Sequence, residues 1–165
     1  MHGGSRHAPC MRREFEIRQT SVLRASAEEV WARAITMEGV NDELAPWVRM
    51  TMPARARGLT IESMPIGSEA FVSTLLAGGV VPFDRHRLVV VELEEGRFLE
   101  RSSSWLHRLW EHERIVEPFA DGCRVVDRVR VEPRLPVARM ERAIVQRIFT
   151  ARHRRLRERF GGGDA

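Results

Sequence analysis

The sequence predicts a single α+β domain in which an antiparallel sheet of six to seven strands curves around a long C-terminal helix, with two short helices after the first strand. Three observations carry this reading. Residues 48–131 break into short stretches of strand-forming residues separated by Pro, Gly and Asp turn signals, the mark of an antiparallel meander. A helix-start signal follows the first strand directly. Residues 136–159 repeat apolar side chains at helical spacing. At 165 residues, 43% hydrophobic and 30% charged, the chain has the size and balance of one water-soluble domain with a substantial core.

In chain order, residues 1–13 are mainly small and polar and are read as a flexible N-terminal tail without the apolar run of a secretory signal. Phe15, Ile17, Val22 and Leu23 mark a strand over 14–24. Ser26-Ala-Glu-Glu29 forms a capping box, in which hydroxyl and carboxylate satisfy exposed backbone N–H groups. Ala27, Val30, Trp31, Ala34 and Ile35 then share one helical face. A second short helix covers 38–44 and stops before Pro46. Strands are expected at 47–52, 59–64, 68–76, 84–94, 97–104, 109–117 and 123–132. Pro136 suits a first helical position. From there Val137, Met140, Ile144, Ile148 and Ala151, flanked by Val145, Phe149 and Leu156, form a broad apolar stripe. One domain thus spans 14–160, and residues 161–165 read as a C-terminal tail.

Composition argues against several function classes. Every basic residue is Arg, and the net charge is only +4. That excess sits in the last helix, where eight arginines face Glu141 and Glu158, so the rest of the chain is slightly acidic. A solvated helix face explains this better than nucleic-acid binding. Cys10 and Cys123 lack metal or disulfide spacing. No phosphate loop, dinucleotide fingerprint, HExxH or G-x-S-x-G is present, so neither cofactor nor metal is expected. The stretch from Phe71 to Phe83 is too short to span a bilayer. A cytoplasmic protein without stable membrane insertion, monomeric or homodimeric, is expected.

The last two strands can be registered by charge. Setting Glu117 against Arg124 also sets Glu113 against Arg128 and Glu111 against Arg130, so opposite charges meet on the solvent face. The same register puts Trp110 opposite Val131, His112 opposite Val129 and Arg114 opposite Asp127 on the inner face. A matched Arg–carboxylate pair tolerates burial. It serves either to fix register or as a polar anchor at the end of an apolar pocket. In the strand 84–94, either His86 or Arg85 and Arg87 face inward, and the pattern leaves both open.

The order of elements resembles the START-like or SRPBCC superfamily, the helix-grip fold, which includes polyketide cyclases, lipid-transfer domains and the birch-pollen allergen group. The resemblance rests on Ser26-Ala-Glu-Glu-Val-Trp31, Pro65-Ile-Gly67-Ser, Phe83-Asp-Arg-His86, Glu100-Arg-Ser102, Trp110-Glu-His-Glu-Arg114, Asp127-Arg128 and Phe149-Thr-Ala-Arg-His153-Arg-Arg-Leu156. Together these pieces are similar to a bacterial ligand-binding subgroup of undefined function, over about 14–160. The resemblance implies a cavity between the sheet and the last helix, without implying one chemistry.

The expected function is therefore binding or transport of a hydrophobic small molecule: a lipid, isoprenoid, aromatic or polyketide-like compound. Expected binding residues are Phe71, Leu75, Phe83, His86, Leu88, Val90, Leu99, Trp110, His112, Arg114, Asp127, Val129, Met140, Ile144 and Ile148. The enzymatic alternative is an aromatase/cyclase-like catalyst, with His112 or His86 as acid–base group, Arg114 polarising a carbonyl and Asp127 orienting the arginine. A third reading is a module that binds partners through its arginine-rich helix.

Overall fold

The computed structural model describes residues 14–162, so most of both expected tails, and Cys10 with them, lie outside the described residues. Seven strands form one antiparallel sheet: β1 (Phe15–Leu23), β2 (Val48–Met50), β3 (Glu69–Ala77), β4 (Val81–Glu94), β5 (Arg97–Ser104), β6 (His107–Phe119) and β7 (Gly122–Pro133). Their order is β1-β7-β6-β5-β4-β3-β2. Each strand from β2 onward pairs with its successor, and β1 closes onto β7. Helices α1 (Ala27–Ala34) and α2 (Met37–Leu44) follow β1, and α3 (Ala138–Phe160) ends the chain.

Local chemistry explains these boundaries. The Ser26 hydroxyl accepts from the Glu29 N–H at 3.2 Å and starts α1. Thr36 does the same for Gly39 N–H at 3.0 Å and starts α2. The β4–β5 turn needs Gly96, whose φ of +73° and 2.5 Å approach to the Val116 carbonyl leave no place for a Cβ. The expected strand at 59–64 does not form. Thr60 and Ser63 instead cap a 3-10 turn over Ile61–Ser63, with the Thr60 N–H donating to Ser63 Oγ at 2.9 Å. At the other end, Arg24 N–H bonds the Gly161 carbonyl at 2.9 Å and Gly162 bridges to Leu23, so the start of the expected C-terminal tail is fixed to β1.

Alternation sorts the sheet into two faces. The β6–β7 register is the one charge pairing predicts: Glu117 opposite Arg124, Glu113 opposite Arg128, Glu111 opposite Arg130 and Arg114 opposite Asp127. In β4 the buried set is Asp84, His86, Leu88 and Val90, which settles the open choice in favour of His86 inward. Phe83, expected to line the interior, belongs to the opposite alternation and is 40% exposed. Leu99 also falls on the outer face, opposite Glu113, covered by long charged side chains.

The core has three parts. Phe15, Ile17, Val129, Val131, Val145 and Phe149 pack β1 and β7 under α3. Leu23, Trp31, Phe98, Val116, Val125 and Leu156 close the end near α1. Phe71, Leu88 and Val90 pack with Ala56 and Met64 beneath the segment that links β2 to β3. Helix α3 buries Val145, Phe149, Arg152, His153 and Leu156. Met140 and Ile144, expected to face inward, are 59% and 48% exposed. The inward line runs one position along from the expected stripe, because the Val145–Phe149 series has the same helical spacing. Ile144 and Ile148 instead share the helix edge that carries Arg152 to Glu43 of α2.

Candidate functional site

Asp127 is the hub of the interior. Its Oδ1 accepts from Arg114 Nε at 2.8 Å and lies 2.9 Å from His112 Nε2. Its Oδ2 accepts from Arg114 Nη2 at 2.7 Å and lies 3.0 Å from His153 Nε2. Arg114 turns the rest of its fork to Glu43, with Nη1–Oε1 at 2.9 Å and Nη2–Oε2 at 2.8 Å. Arg152 of α3 donates to the same Glu43 Oε2 at 2.9 Å and 3.1 Å. The cluster therefore joins α2, β6, β7 and α3.

The electrostatics follow from this pairing. Burial alone would lower the Arg114 pKa, but the Asp127 and Glu43 charges hold it well above its ordinary value. Burial would raise Asp127, and Arg114 with His112 hold it well below the usual carboxylate range. Glu43 is likewise held low against burial by Arg114 and Arg152. All three donor nitrogens of Arg114 are engaged within the protein. The pair thus fixes register and ties the helices to the sheet, and it leaves no free guanidinium edge for a ligand carbonyl.

From this cluster a line of imidazoles and carboxylates crosses the inner face. Ser21 Oγ lies 2.8 Å from His153 Nδ1. Beyond Asp127, His112 Nδ1 is 3.9 Å from Glu100 Oε2, and Glu100 Oε1 is 2.6 Å from His86 Nε2. Burial would raise Glu100, but the neighbouring His86 keeps its pKa low. The line starts on β1 and ends on β4.

Beside it, α3 packs on β1, β7 and α2, away from the inner faces of β3 and β4. Trp110, on the inner face of the central strand β6, is consequently only half-buried. Its ring centroid lies 6.3 Å from His86, 5.4 Å from His107 and 6.4 Å from Phe149. Leu75 faces inward opposite Asp84 and is also half-buried. Ile148 of α3 packs on the same cluster as Trp110, and Ile144, one turn before it on the helix, is exposed. Phe71, Leu88, Val90 and Val129 are sealed in the core. A separate open groove of about 600 Å³ involves Glu16, Glu111, Glu113, Arg128 and Arg130. Its charges largely satisfy one another, as Glu113 does with Arg97 at 2.8 Å and Arg128 at 3.0 Å, while Ile17, Leu99 and Val129 give it an apolar part of its wall.

Sequence reasoning found Arg114, Asp127, His112 and His86 but missed Glu43, Glu100, His107, Arg152 and His153 as interior groups. Arg152 looked like part of a solvated basic face, although it is buried, as is His153, and its burial shrinks the basic surface available to a partner. Among the described residues no group of three His, Cys, Asp or Glu is placed to hold a metal ion. None of their helices is long and apolar enough to cross a membrane.

This architecture, a curled antiparallel sheet holding a long C-terminal helix, is the helix-grip fold of START-like or SRPBCC proteins. The chain belongs to the family described as "Domain of unknown function (DUF8410)", which matches residues 21–160. No curated protein matches it. Among solved structures it is similar to the Zhui aromatase/cyclase from Streptomyces sp. R1128, at 14% identity and TM-score 0.62, covering 87% of this chain and 91% of that one. It is similar also to a START superfamily protein from Mycobacterium smegmatis, at 14% identity and TM-score 0.58, covering 87% and 97%. The di-domain aromatase/cyclase StfQ from the steffimycin biosynthetic pathway matches at 10% identity and TM-score 0.60 over 88% of this chain, which spans only 50% of that longer one. At these identities the likeness is one of fold.

Proposed function

We propose that the protein binds a hydrophobic small molecule in the gap between the N-terminal half of α3 and the inner faces of β3 to β6. The observation that carries this reading is Trp110, a large aromatic on the inner face of a central strand that stays only half-buried although one side of it packs on Phe149 of α3. A central-strand tryptophan that served only packing would be sealed, as Phe71 is. Leu75, Ile144 and Ile148 supply further apolar wall, and the imidazoles of His86 and His107 border it. Native mass spectrometry of the purified protein tests this directly, together with uptake of the neutral dye Nile red. A co-purified apolar ligand, or dye binding lost in Trp110→Ala, supports the reading. A ligand-free protein that leaves the dye in water sinks it.

A cyclase-like activity is the second reading, favoured by the 2.6 Å His86–Glu100 pair beside the gap and by the fold shared with aromatase/cyclases. In that reading His86, supported by Glu100, is the acid–base group. Arg114 is better cast as a positioning residue, since its donors are consumed by Glu43 and Asp127. Loss of turnover in His86→Gln with ligand binding retained would separate catalysis from carriage.

A further inference from the structure

Granting the apolar gap as the place of binding, we propose that its end at Asp84, His107 and Glu141 takes the protonated amine of an otherwise apolar ligand. Asp84 lies on β4 with a side chain 0% exposed. Its Oδ1 is well satisfied, accepting backbone N–H groups from Arg85 at 2.8 Å, Trp105 at 3.0 Å and Leu106 at 3.3 Å. Its Oδ2 is buried without a hydrogen-bond partner. The basic group within reach is His107, its Nδ1 3.8 Å away and already 3.1 Å from Ser104 Oγ. Glu141 approaches the same imidazole from the first turn of α3, Oε1 standing 3.8 Å from Nε2, while its Oε2 is also buried and unpartnered. Both separations exceed a hydrogen bond. Two carboxylates thus present unmet acceptors around one ring, a costly arrangement unless something donates to them.

The choice of donor is narrow. His107 is not a cation at neutral pH, because burial, reinforced by His86 and Arg134, holds its pKa down despite Asp84. Arg134, whose charge reaches the ring, is itself exposed and donates its Nε to the Ser104 carbonyl at 3.0 Å. The described residues offer no three-ligand metal cluster. An alkylammonium has three donors and a charge that relieves the repulsion of paired carboxylates. The Glu141 carboxyl shows that repulsion: burial first, then the Asp84 charge, push its pKa up. An apolar body has a place to rest beside it, since Ile144, one turn on from Glu141 in α3, is 48% exposed. A ligand carboxylate finds no such welcome, because Arg114 is fully occupied at the other end.

The test is calorimetric titration of the full chain at pH 7 with decylamine, 1-decanol and decanoate, each below its aggregation concentration. The expected result is decylamine binding about tenfold or more tighter than 1-decanol, as a charge-assisted hydrogen bond allows, with decanoate weakest. Glu141→Gln should bring decylamine to the level of 1-decanol while leaving the alcohol unchanged, with folding checked by thermal melting. Asp84→Asn, which keeps an oxygen for the three backbone donors, gives a second measure of the same ratio. Equal binding of amine and alcohol, or an amine preference that survives both substitutions, overturns the amine site and leaves the apolar reading standing. Failure of all three probes to bind removes that reading and this one together.

Discussion

Arg114 and Asp127 meet across β6 and β7 through two parallel hydrogen bonds, 2.8 Å from Nε to Oδ1 and 2.7 Å from Nη2 to Oδ2, with each residue only 1% exposed. The same guanidinium also clamps Glu43, which it shares with Arg152, so two arginines balance two buried carboxylates. Removing Arg114 leaves Asp127 without an arginine and Glu43 with Arg152 alone. Arg114→Met should therefore cost about 3–5 kcal/mol, the usual penalty for breaking a buried pair from one side. Urea denaturation followed by circular dichroism measures this. A loss below about 1 kcal/mol would mean that the cluster is wet and exchangeable.

The outer face provides the contrast. Glu113 accepts from Arg97 at 2.8 Å and Arg128 at 3.0 Å, and the register that makes these contacts also makes the inner pair. Its arginine partners reach solvent, so Coulomb attraction is screened. Glu113→Gln should cost less than about 1 kcal/mol, and the cost should shrink in high salt. An equal loss from Glu113→Gln and Arg114→Met would contradict the assignment of the two faces.

Acid should unfold the protein in two stages of unequal size. Asp127, Glu43 and Glu100 all have folded pKa values below their ordinary ones. The unfolded chain therefore takes up protons first, and the stability these groups contribute is full above about pH 4.5 and lost as pH falls further. His107 is also depressed, so its protonation favours the unfolded chain once pH drops below about 6.5. Glu141 has the opposite sign: its raised pKa makes the folded state the better proton acceptor, which partly offsets His107 as pH falls. The urea midpoint should decline shallowly below about pH 6.5 and steeply below about pH 4. The shallow step should vanish in His107→Gln and deepen in Glu141→Gln.

How much of this was legible depended on whether one pattern or two fitted the residues. The β6–β7 register was legible because only one alignment sets three Glu–Arg pairs opposite each other, and Arg114 and Asp127 came with it. Strand β4 was ambiguous because Asp84 and His86 alternate with Phe83, Arg85 and Arg87, leaving polar groups on both faces. In α3, Ile144–Ile148 and Val145–Phe149 obey the same period one residue apart, so spacing could not choose between them. Glu43 and Arg152 were invisible for another reason. Each looks like an ordinary charged helix residue, and only the long-range approach of α2, β6 and α3 makes them partners. Leu99 was expected on the inner face and stands on the outer one, lining the groove there, because strand propensity does not tell an apolar residue under arginine stems from one in a core.

The two faces of α3 yield a last prediction that separates packing from binding. Phe149 is 1% exposed, stands 5.3 Å from the His112 ring at a near-perpendicular angle, and carries the Arg152 guanidinium 4.8 Å from its centroid. Phe149→Ala should cost about 3–5 kcal/mol, because the cavity it leaves adjoins the charged cluster. Ile144, 48% exposed on the edge facing the gap, should cost under about 0.5 kcal/mol when cut to Ala. The second substitution should nevertheless weaken Nile red binding several-fold, since it removes apolar wall from the gap and little from the core. Thermal melting and dye titration of the same two proteins check both halves. If Ile144→Ala melts like the parent and binds the dye equally well, the ligand does not lie against this edge of α3. The gap would then have to be bounded by Trp110, Leu75 and the neighbouring imidazoles of His86 and His107.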